Sequence, residues 1–436
     1  MISENPLSEE NILMTIFRTW RSGAAAMPAV CLIGLSFCQA GEDTAAKAPA
    51  ANAAGSSIQY VPLDAPAGTS QAVIVQGQAL VHTRQLLPLD REGKIVGEGA
   101  VDKQIEQVLN NLDAVLNASG SGLNKLVRLN IYAIAPATVK GVREQLAKRL
   151  QPDVRPVISA VLTPMTHHKA LVAVDAVAAT NDPAAAGQAV ALQRCETVSG
   201  DKEAADAAIL PRGGVAYLSG VPAEGGLAVS AISKSMATLL KTLSQLQLTP
   251  ANIVQLKLFL RPAVAADEAL RELKRSFPNQ MVPPVVFVEW IAMAPVEIEL
   301  IAQLPVKEPT AESLQYYTPP DVRALPTFSR VALIRGEQQI YVSGLFSRVA
   351  GRGEDQARDV FAQLQTILDK TGSDMRHLAK ASYYVSDDDA GRGFDRVRPQ
   401  LFDPNRPPAA SKVMVFGAGQ AGRTLTMDMI AVGKGK

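Results

Sequence analysis

The chain has 436 residues, of which 47% are hydrophobic and 19% charged, and its 43 basic and 42 acidic side chains leave a formal net charge of +1. This length predicts two to four domains, and the hydrophobic share is sufficient to bury a large core. Because the near-zero net charge offers none of the basic surface that nucleic-acid binding requires, we expect neither DNA nor RNA as a partner.

The first forty residues have the pattern of a secretion signal. Arg18 and Arg21 precede an apolar run over residues 24–37, and small residues around Ala40 follow it. The run is shorter than the roughly 20 apolar residues of a transmembrane helix, and the order of basic, apolar and small residues is typical of a cleaved signal. We predict a signal over residues 1–40, a periplasmic or secreted protein without membrane attachment after cleavage, and a cytoplasmic protein if the signal is not used.

Residues 41–57 are rich in Ala, Pro, Gly and Ser, so they cannot bury enough apolar surface to fold and are predicted to form a disordered tether. Cys31 and Cys38 fall inside the predicted signal, which leaves Cys195 as the one cysteine of the mature chain. We therefore expect no internal disulfide, no metal site and no cofactor.

Three segments, residues 58–180, 190–305 and 322–434, carry the same order of patterns. Each begins with two alternating apolar runs that are typical of a β-hairpin, and continues with a helix that has one apolar face. An alternating strand, a second helix and two closing strands follow. A unit of more than about 100 residues is too long for a solenoid repeat, so the sequence predicts one domain present three times.

Two short stretches align the three modules. Residues 216–220 (AYLSG) match residues 340–344 (IYVSG), and we align residues 80–84 (LVHTR) with both, so that Arg84 replaces the glycine. The closing strands align at acidic residues, namely Asp175, Glu299 and Asp428.

These patterns resemble the RidA/YjgF family of reactive intermediate deaminases, also described as endoribonuclease L-PSP. The most family-like run is Gly93–Ile134, and the resemblance extends over residues 70–432. It implies an α+β, chorismate-mutase-like fold in which two helices cover one face of a sheet. The family normally forms homotrimers with an inner β-barrel, outer helices and ligand clefts between subunits. Three tandem modules in one chain therefore predict a covalent pseudo-trimer that is a monomer in solution.

The resemblance also implies an activity. Family members bind the carboxylate of small imines and hydrolyse them to 2-oxo acids and ammonia. Their arginine, in a Pro-x-Arg-Ser run, provides a guanidinium that grips a carboxylate with two parallel hydrogen bonds. In this chain the arginine position is occupied by apolar residues in every module: Ile158, Val285 and Ala410.

Two further family positions differ between the modules. The carboxylate of the last strand is kept only as Glu297. The asparagine of the second helix aligns with Arg143, Leu270 and Asp395.

Polar residues near these positions are the candidates for a rearranged site. Lys412 lies two residues after Ala410, so on a strand it projects from the same face. The predicted catalytic residues are Glu297, Lys412 and Asp428. The predicted ligand-binding residues are Arg155, Arg406, Ser411 and Arg423.

Two functions remain open at this point. One is a degenerate scaffold, or pseudoenzyme, that binds a small anionic metabolite. The other is a deaminase-type hydrolase of imine or enamine acids with a rearranged site. A hydrolase like those of cyanuric acid needs a Ser–Lys pair in each module, whereas no such pair recurs in all three modules and Ser411-Lys412 has no counterpart at the aligned positions of the other two. A ribonuclease needs a phosphate-gripping patch, which this neutral chain does not offer.

Overall fold

The computed structural model describes residues 57–181, 189–223, 228–305, 312–320 and 322–435. The predicted signal at 1–40, and all but the last residue of the predicted tether, lie outside these ranges. Across the ranges that are described, the model contains no helix that is both long and apolar enough to span a membrane.

The described chain contains one order of elements three times, and we call each occurrence a repeat. The elements of the first repeat are β1 Ser57–Val61, β2 Ala72–Gln76, β3 Ala79–Thr83, α1 Val101–Ala118, β4 Leu126–Ala133, α2 Pro136–Ala147, β5 Val157–Leu162 and β6 Val172–Thr180.

The second and third repeats follow the same plan. The second comprises β7 Ala191–Gln193, β8 Ala207–Leu210, β9 Gly214–Ala223, α3 Ala228–Gln245, β10 Ile253–Leu260, α4 Ala266–Lys274, β11 Val285–Glu289 and β12 Val296–Leu304. The third comprises β13 Leu314–Tyr317, β14 Val331–Ile334, β15 Gln338–Val342, β16 Leu345–Phe346, α5 Gly353–Lys370, β17 Leu378–Val385, α6 Asp388–Val397, β18 Ala409–Met414 and β19 Leu425–Ala431.

The helices form where the sequence places apolar residues three and four positions apart. In α1, for example, Leu109, Leu112 and Leu116 are fully buried, which gives the helix one apolar face to set against its sheet. In α6 the start is fixed by Asp387, whose carboxylate accepts a 2.7 Å hydrogen bond from the backbone N–H of Ala390. Such a cap satisfies an N–H group that the helix itself cannot pair.

The strands form three sheets, and each sheet combines strands of two repeats. The first has the order β5-β4-β6-β3-β8-β7, and the second has the order β11-β10-β12-β9-β14-β13. The third has the order β18-β17-β19-β15-β2-β1, with β16 also paired to β19. Each repeat thus contributes its opening strands to the sheet of another repeat, and β1 and β2 complete the sheet of the third.

The prediction of opening β-hairpins is therefore wrong, although their strands are where the sequence placed them. β2 pairs with β15 and β3 pairs with β8, so the two runs that join at Gly77 lie in different sheets. The backbone N–H of Gly77 bonds to the carbonyl of Glu337, at the corresponding turn of the third repeat. An alternating pattern indicates a strand, but it does not identify the partner strand.

Both faces of each sheet are buried, which explains strands such as β4 that have only one residue of intermediate exposure. On one face, each sheet builds a separate apolar core with its two helices. On the other face, residues of all three sheets share one cluster that includes Val127, Val254 and Ala379 from the equivalent strands β4, β10 and β17. The fold is a mixed α+β assembly with an inner region common to the three repeats.

Candidate ligand-binding site

Strand pairing fixes which residues of the repeats are equivalent. Val81 of β3 faces Ala178 of β6, and Ala216 of β9 faces Ala302 of β12 at the matching position. Val81 is therefore the equivalent of Ala216, and the sequence alignment of Leu80 with Ala216 is wrong by one residue. The pairing with the closing strand sets the register, which a five-residue sequence match cannot do.

The contact between the first and second repeats is filled by its own side chains. With the corrected register, Gln85 takes the glycine position and its Nε2 donates to the carbonyl of Phe287 at 2.8 Å. Arg84 takes the neighbouring serine position, and its Nε donates to Asp206 Oδ1 at 2.7 Å. Arg194 binds the other oxygen of Asp206, also at 2.7 Å. Both guanidiniums of this contact are thus paired with the Asp206 carboxylate.

The contact between the third and first repeats contains a pocket of about 390 Å³, which we call the arginine pocket. The first repeat lines it with Gln71, Arg143 and Ile158, and the third repeat with Ser343, Arg348 and Arg423, among others. Ile158 occupies the family's arginine position, so this pocket corresponds to the cleft that the sequence comparison addressed.

Arg143 enters the arginine pocket from helix α2. Its Nε atom is buried and has no hydrogen-bond partner, and among the described residues its guanidinium forms no ion pair. Burial lowers the pKa of Arg143 from its ordinary value, but a guanidinium remains charged at neutral pH. A half-buried, unpaired guanidinium is strongly disposed to bind an anion, because it gains charge-assisted hydrogen bonds that the protein does not supply.

A glycine brings the third repeat close to the strand that carries Ile158. The backbone N–H of Gly344 bonds to the Ile158 carbonyl at 3.0 Å, and Ser343 Oγ donates to the same oxygen at 2.9 Å. A Cβ at Gly344 would lie 2.9 Å from the Cα of Ser159, which is closer than real Cβ contacts. The glycine is therefore needed to hold this wall of the pocket in place.

Arg423 and Arg348 line the third-repeat wall in different states of pairing. Arg423 is fixed by three backbone carbonyls: Nε donates to Ser347 at 2.5 Å, Nη1 to Gly422 at 3.0 Å and Nη2 to Arg348 at 3.2 Å. None of these partners is charged. Arg348, by contrast, is ion-paired with Asp359 at 2.9 Å. The fork of Arg423 is thus oriented without being neutralised.

Two buried hydroxyls adjoin this wall without a hydrogen-bond partner among the described residues. Ser70 follows the lining residue Thr69, and Ser159 follows Ile158 and packs against Gly344. Buried polar groups are normally paired, with protein or with ordered solvent. These two unsatisfied hydroxyls add polar groups next to the residues that line the arginine pocket.

The contact between the second and third repeats contains the family's carboxylate, Glu297. Glu297 is 9% exposed and lies against Gly220, where any Cβ would overlap its carboxyl group. Ser411 bridges the carboxyls of this region and donates to Glu299 Oε2 at 2.6 Å. Burial raises the pKa of Glu297 to about 7, with a further increase from Glu299 and an opposing effect of the Ser411 hydrogen bond.

Because the pKa of Glu297 is raised in the folded protein, we expect the free energy of unfolding to fall as the pH rises. Between pH 4.5 and 7 the folded protein retains the Glu297 proton, whereas the unfolded chain releases it, so the stabilisation present below pH 4.5 is lost progressively up to pH 7. The loss is on the order of 3 kcal/mol. The variant Glu297→Gln has no carboxyl proton to release, so its free energy of unfolding should not show this loss. In urea unfolding from pH 5 to pH 8, we expect the free energy of unfolding of Glu297→Gln to rise relative to that of the wild type. A difference that stays constant over this range would contradict the effect of burial on the Glu297 pKa.

The inner region contains six buried charges, which we call the interior charge cluster. Its cations are Arg128, Lys257 and Lys380, on the equivalent strands β4, β10 and β17. Its anions are Asp175, Glu299 and Asp428, on the equivalent closing strands β6, β12 and β19. Three positive and three negative charges balance, as buried charges must.

Two cations of the interior charge cluster, Arg128 and Lys380, form ion pairs with a different sheet. Arg128 Nη1 binds Asp428 Oδ1 at 3.1 Å, and Lys380 Nζ binds Glu299 Oε2 at 2.5 Å. Burial would lower the pKa of Lys257, but the nearby charges, including Asp175, outweigh it and raise that pKa. The ion pairs thus connect the three sheets around the inner region, and they belong to the fold rather than to an open site.

The predicted site residues do not converge on one cleft. Glu297 and Ser411 meet between the second and third repeats, while Asp428 belongs to the interior charge cluster. Lys412 forms a 2.5 Å ion pair with Asp395, and Arg406 forms a 2.6 Å ion pair with Glu312.

Two predicted ligand-binding arginines differ in position. Arg155 is exposed and donates to the carbonyl of Pro152 in its own loop at 3.3 Å. Arg423 lines the arginine pocket.

Sequence reasoning placed no role on Arg143, the residue that the pocket makes most prominent. The sequence could have indicated this residue, since Arg143 occupies the position that aligns with the family's second-helix asparagine. The sequence also indicates the interior charge cluster, because the middle strands read LVRLNIYA, IVQLKLFL and LAKASYYV, and each contains one cation in a mostly apolar run. In the described residues, no group of three or more His, Cys, Asp and Glu side chains could hold a metal ion.

Comparison with known protein families found a match for this chain. The family model described as endoribonuclease L-PSP matches residues 62–180 and 321–432, together just over half of the chain. Residues 190–305 fall outside the matched segments. No curated protein sequence matches the chain.

Solved structures of related proteins align with single segments. YyfB, a Rid family protein of unknown function from Yersinia pestis, is 25% identical, with 28% of this chain and 98% of that chain covered and a TM-score of 0.25. The YjgF family protein NMB1025 from Neisseria meningitidis is 22% identical, with 28% and 97% covered and a TM-score of 0.22. Yeast Mmf1 is 22% identical, with 29% and 98% covered and a TM-score of 0.21.

The fold and the pocket define an α+β protein built of repeated units, with its candidate site where two units meet. The sequence match then identifies it: the chain belongs to the endoribonuclease L-PSP family, which is the RidA/YjgF family.

Proposed function

We propose that the three repeats form a covalent pseudo-trimer, monomeric in solution, whose arginine pocket binds a small organic anion without hydrolysing it. The observation that carries this proposal is the unpaired guanidinium of Arg143 in the pocket that Ile158 and Ser343 line. It provides, from helix α2, a cation that the family's strand position lacks. The exchange of opening strands among the repeats supports the pseudo-trimer.

The cation and the carboxylate lie at different contacts between repeats, which argues against hydrolysis of a bound imine. Imine hydrolysis needs a guanidinium for the carboxylate and a polar group that positions water at the imine carbon. The arginine pocket has the cation, but the equivalent of Glu297 there is Thr426. The contact that keeps Glu297 has Asp395 at the Arg143 position, and Asp395 neutralises Lys412. Each contact therefore retains one half of the expected chemistry.

The proposal is tested by substituting Arg143. We expect Arg143→Gln to weaken binding of small carboxylates by about 10- to 100-fold, because hydrogen bonds to charged groups contribute about 1.5–3 kcal/mol. Titration calorimetry with acetate, pyruvate, benzoate and citrate measures the effect. Lys140→Gln is the matched control, since Lys140 lies on the same helix with its side chain 78% exposed.

Two outcomes would overturn the proposed function. One is the absence of binding by every carboxylate of this panel to the wild-type protein at millimolar concentration. The other is accelerated hydrolysis of 2-iminopropionate by the purified protein, measured as pyruvate release in a coupled dehydratase assay. The second outcome would favour the deaminase-type hydrolase instead.

A further inference from the structure

We infer that the arginine pocket selects a ligand with two negative charges, such as a compact dicarboxylate, over a monoanion of the same size. This inference rests on the proposed function and specifies its ligand class. The geometry points to it because two guanidinium charges in the pocket, those of Arg143 and Arg423, have no acidic partner among the described residues.

The charges that line the pocket indicate that a bound ligand should carry two negative charges. Arg348, the third guanidinium, is bound by Asp359 through both Nε and Nη2, at 3.2 and 2.9 Å. Arg143 and Arg423 have no such compensation. A monoanion bound at one of them would leave the other as a partly desolvated charge, whereas a dianion neutralises both.

The placement of the two guanidiniums favours two separate acid groups. Arg143 belongs to the first repeat and Arg423 to the third, so the two guanidiniums reach the pocket from different repeats. Three carbonyls hold the Arg423 fork, which has five N–H donors, so two donors remain for a ligand. The second cation is thus already oriented, and little conformational freedom is lost when it binds.

Uncharged polar residues complete the pocket, since Thr69, Gln71, Ser343 and Gln420 line it beside the arginines. A compact dicarboxylate such as succinate, with two methylene groups between its carboxylates, fits within a volume of about 390 Å³.

The test compares succinate with monomethyl succinate, which has nearly the same size and one charge fewer. Titration calorimetry at fixed ionic strength should give at least a tenfold lower Kd for succinate with the wild-type protein. Arg423→Gln should reduce this preference to about twofold or less, with monomethyl succinate binding changed little. Arg423→Lys keeps the charge and should retain most of the preference. Ethyl phosphate, a dianion on a single group, should bind more weakly than succinate.

Equal Kd values for succinate and monomethyl succinate would overturn the inference and leave the proposed function intact. Failure of both compounds to bind would contradict the proposed function as well. If ethyl phosphate binds more tightly than succinate, the pocket recognises one doubly charged group rather than two carboxylates, which also overturns the inference. The wild-type comparison decides these outcomes even if Arg423→Gln does not fold.

Discussion

Replacing Arg128 with leucine should lower the free energy of unfolding by about 3–5 kcal/mol. The guanidinium is 7% exposed, and besides the ion pair with Asp428 it donates to the backbone carbonyls of Val342 and Met429, both at 3.1 Å. Leucine removes the ion-pair partner of the buried Asp428 carboxylate and the guanidinium donor of both carbonyls. Urea unfolding at pH 7, followed by circular dichroism, measures the loss.

The double variant Arg128→Leu/Asp428→Leu distinguishes the cost of an uncompensated buried charge from the loss of the ion pair itself. If the penalty comes from the uncompensated carboxylate, removing it should restore much of the lost stability. The matched exposed pair is Lys140 and Glu144, whose side chains are 78% and 60% exposed. Lys140→Ala should change the free energy of unfolding by less than about 0.5 kcal/mol. An equally small effect of Arg128→Leu would contradict the role given to the interior charge cluster.

Substituting two glycines of helix α6 with alanine should give effects of opposite sign. A Cβ at Gly393 would overlap the backbone of Gly353 and Glu354 at the start of α5. Because backbone atoms cannot rotate away, Gly393→Ala should destabilise the protein by about 1–3 kcal/mol or more. At Gly391 the nearest atom to an added Cβ is a Val385 methyl carbon at 4.0 Å.

Gly391→Ala should therefore stabilise the protein by about 0.5–1 kcal/mol, because alanine loses less conformational freedom than glycine when a helix forms. Thermal unfolding of both variants beside the wild type provides the comparison. The two positions are two residues apart in one helix, so a general effect of helix propensity would shift them in the same direction. That result would contradict the close α5–α6 contact.

The sequence predicts local structure here better than it predicts partners. Periodic apolar residues predict a helix and a following strand in each of the three segments, and the structure has both in each repeat. The same reasoning joins β2 and β3 into one hairpin, because nothing in the turn at Gly77 reveals that the two strands enter different sheets. Partner choice depends on the other repeats, which lie more than a hundred residues away.

The candidate site is harder to predict because charges are neutralised by residues distant in sequence. Lys412 lies on the same face of its strand as Ala410, as predicted, but Asp395 of α6 pairs with it. Arg143 lies at the position equivalent to Asp395, and no acidic side chain among the described residues pairs with it. One aligned helix position is thus a free cation in one repeat and a counter-ion in another. A family motif confined to one strand does not reveal this exchange.

The route of the chain through the three sheets also constrains how the protein can change. β2, near the start of the described chain, completes a sheet whose other long strands come from the last hundred residues. A shorter gene with two repeats would leave β15 or its counterpart with exposed hydrogen-bonding groups along an open edge, which promotes aggregation. Circular permutation, in contrast, would preserve every strand pair if the chain were opened between two repeats. Such a chain is free to diverge at each of its three contacts, but its number of repeats is fixed.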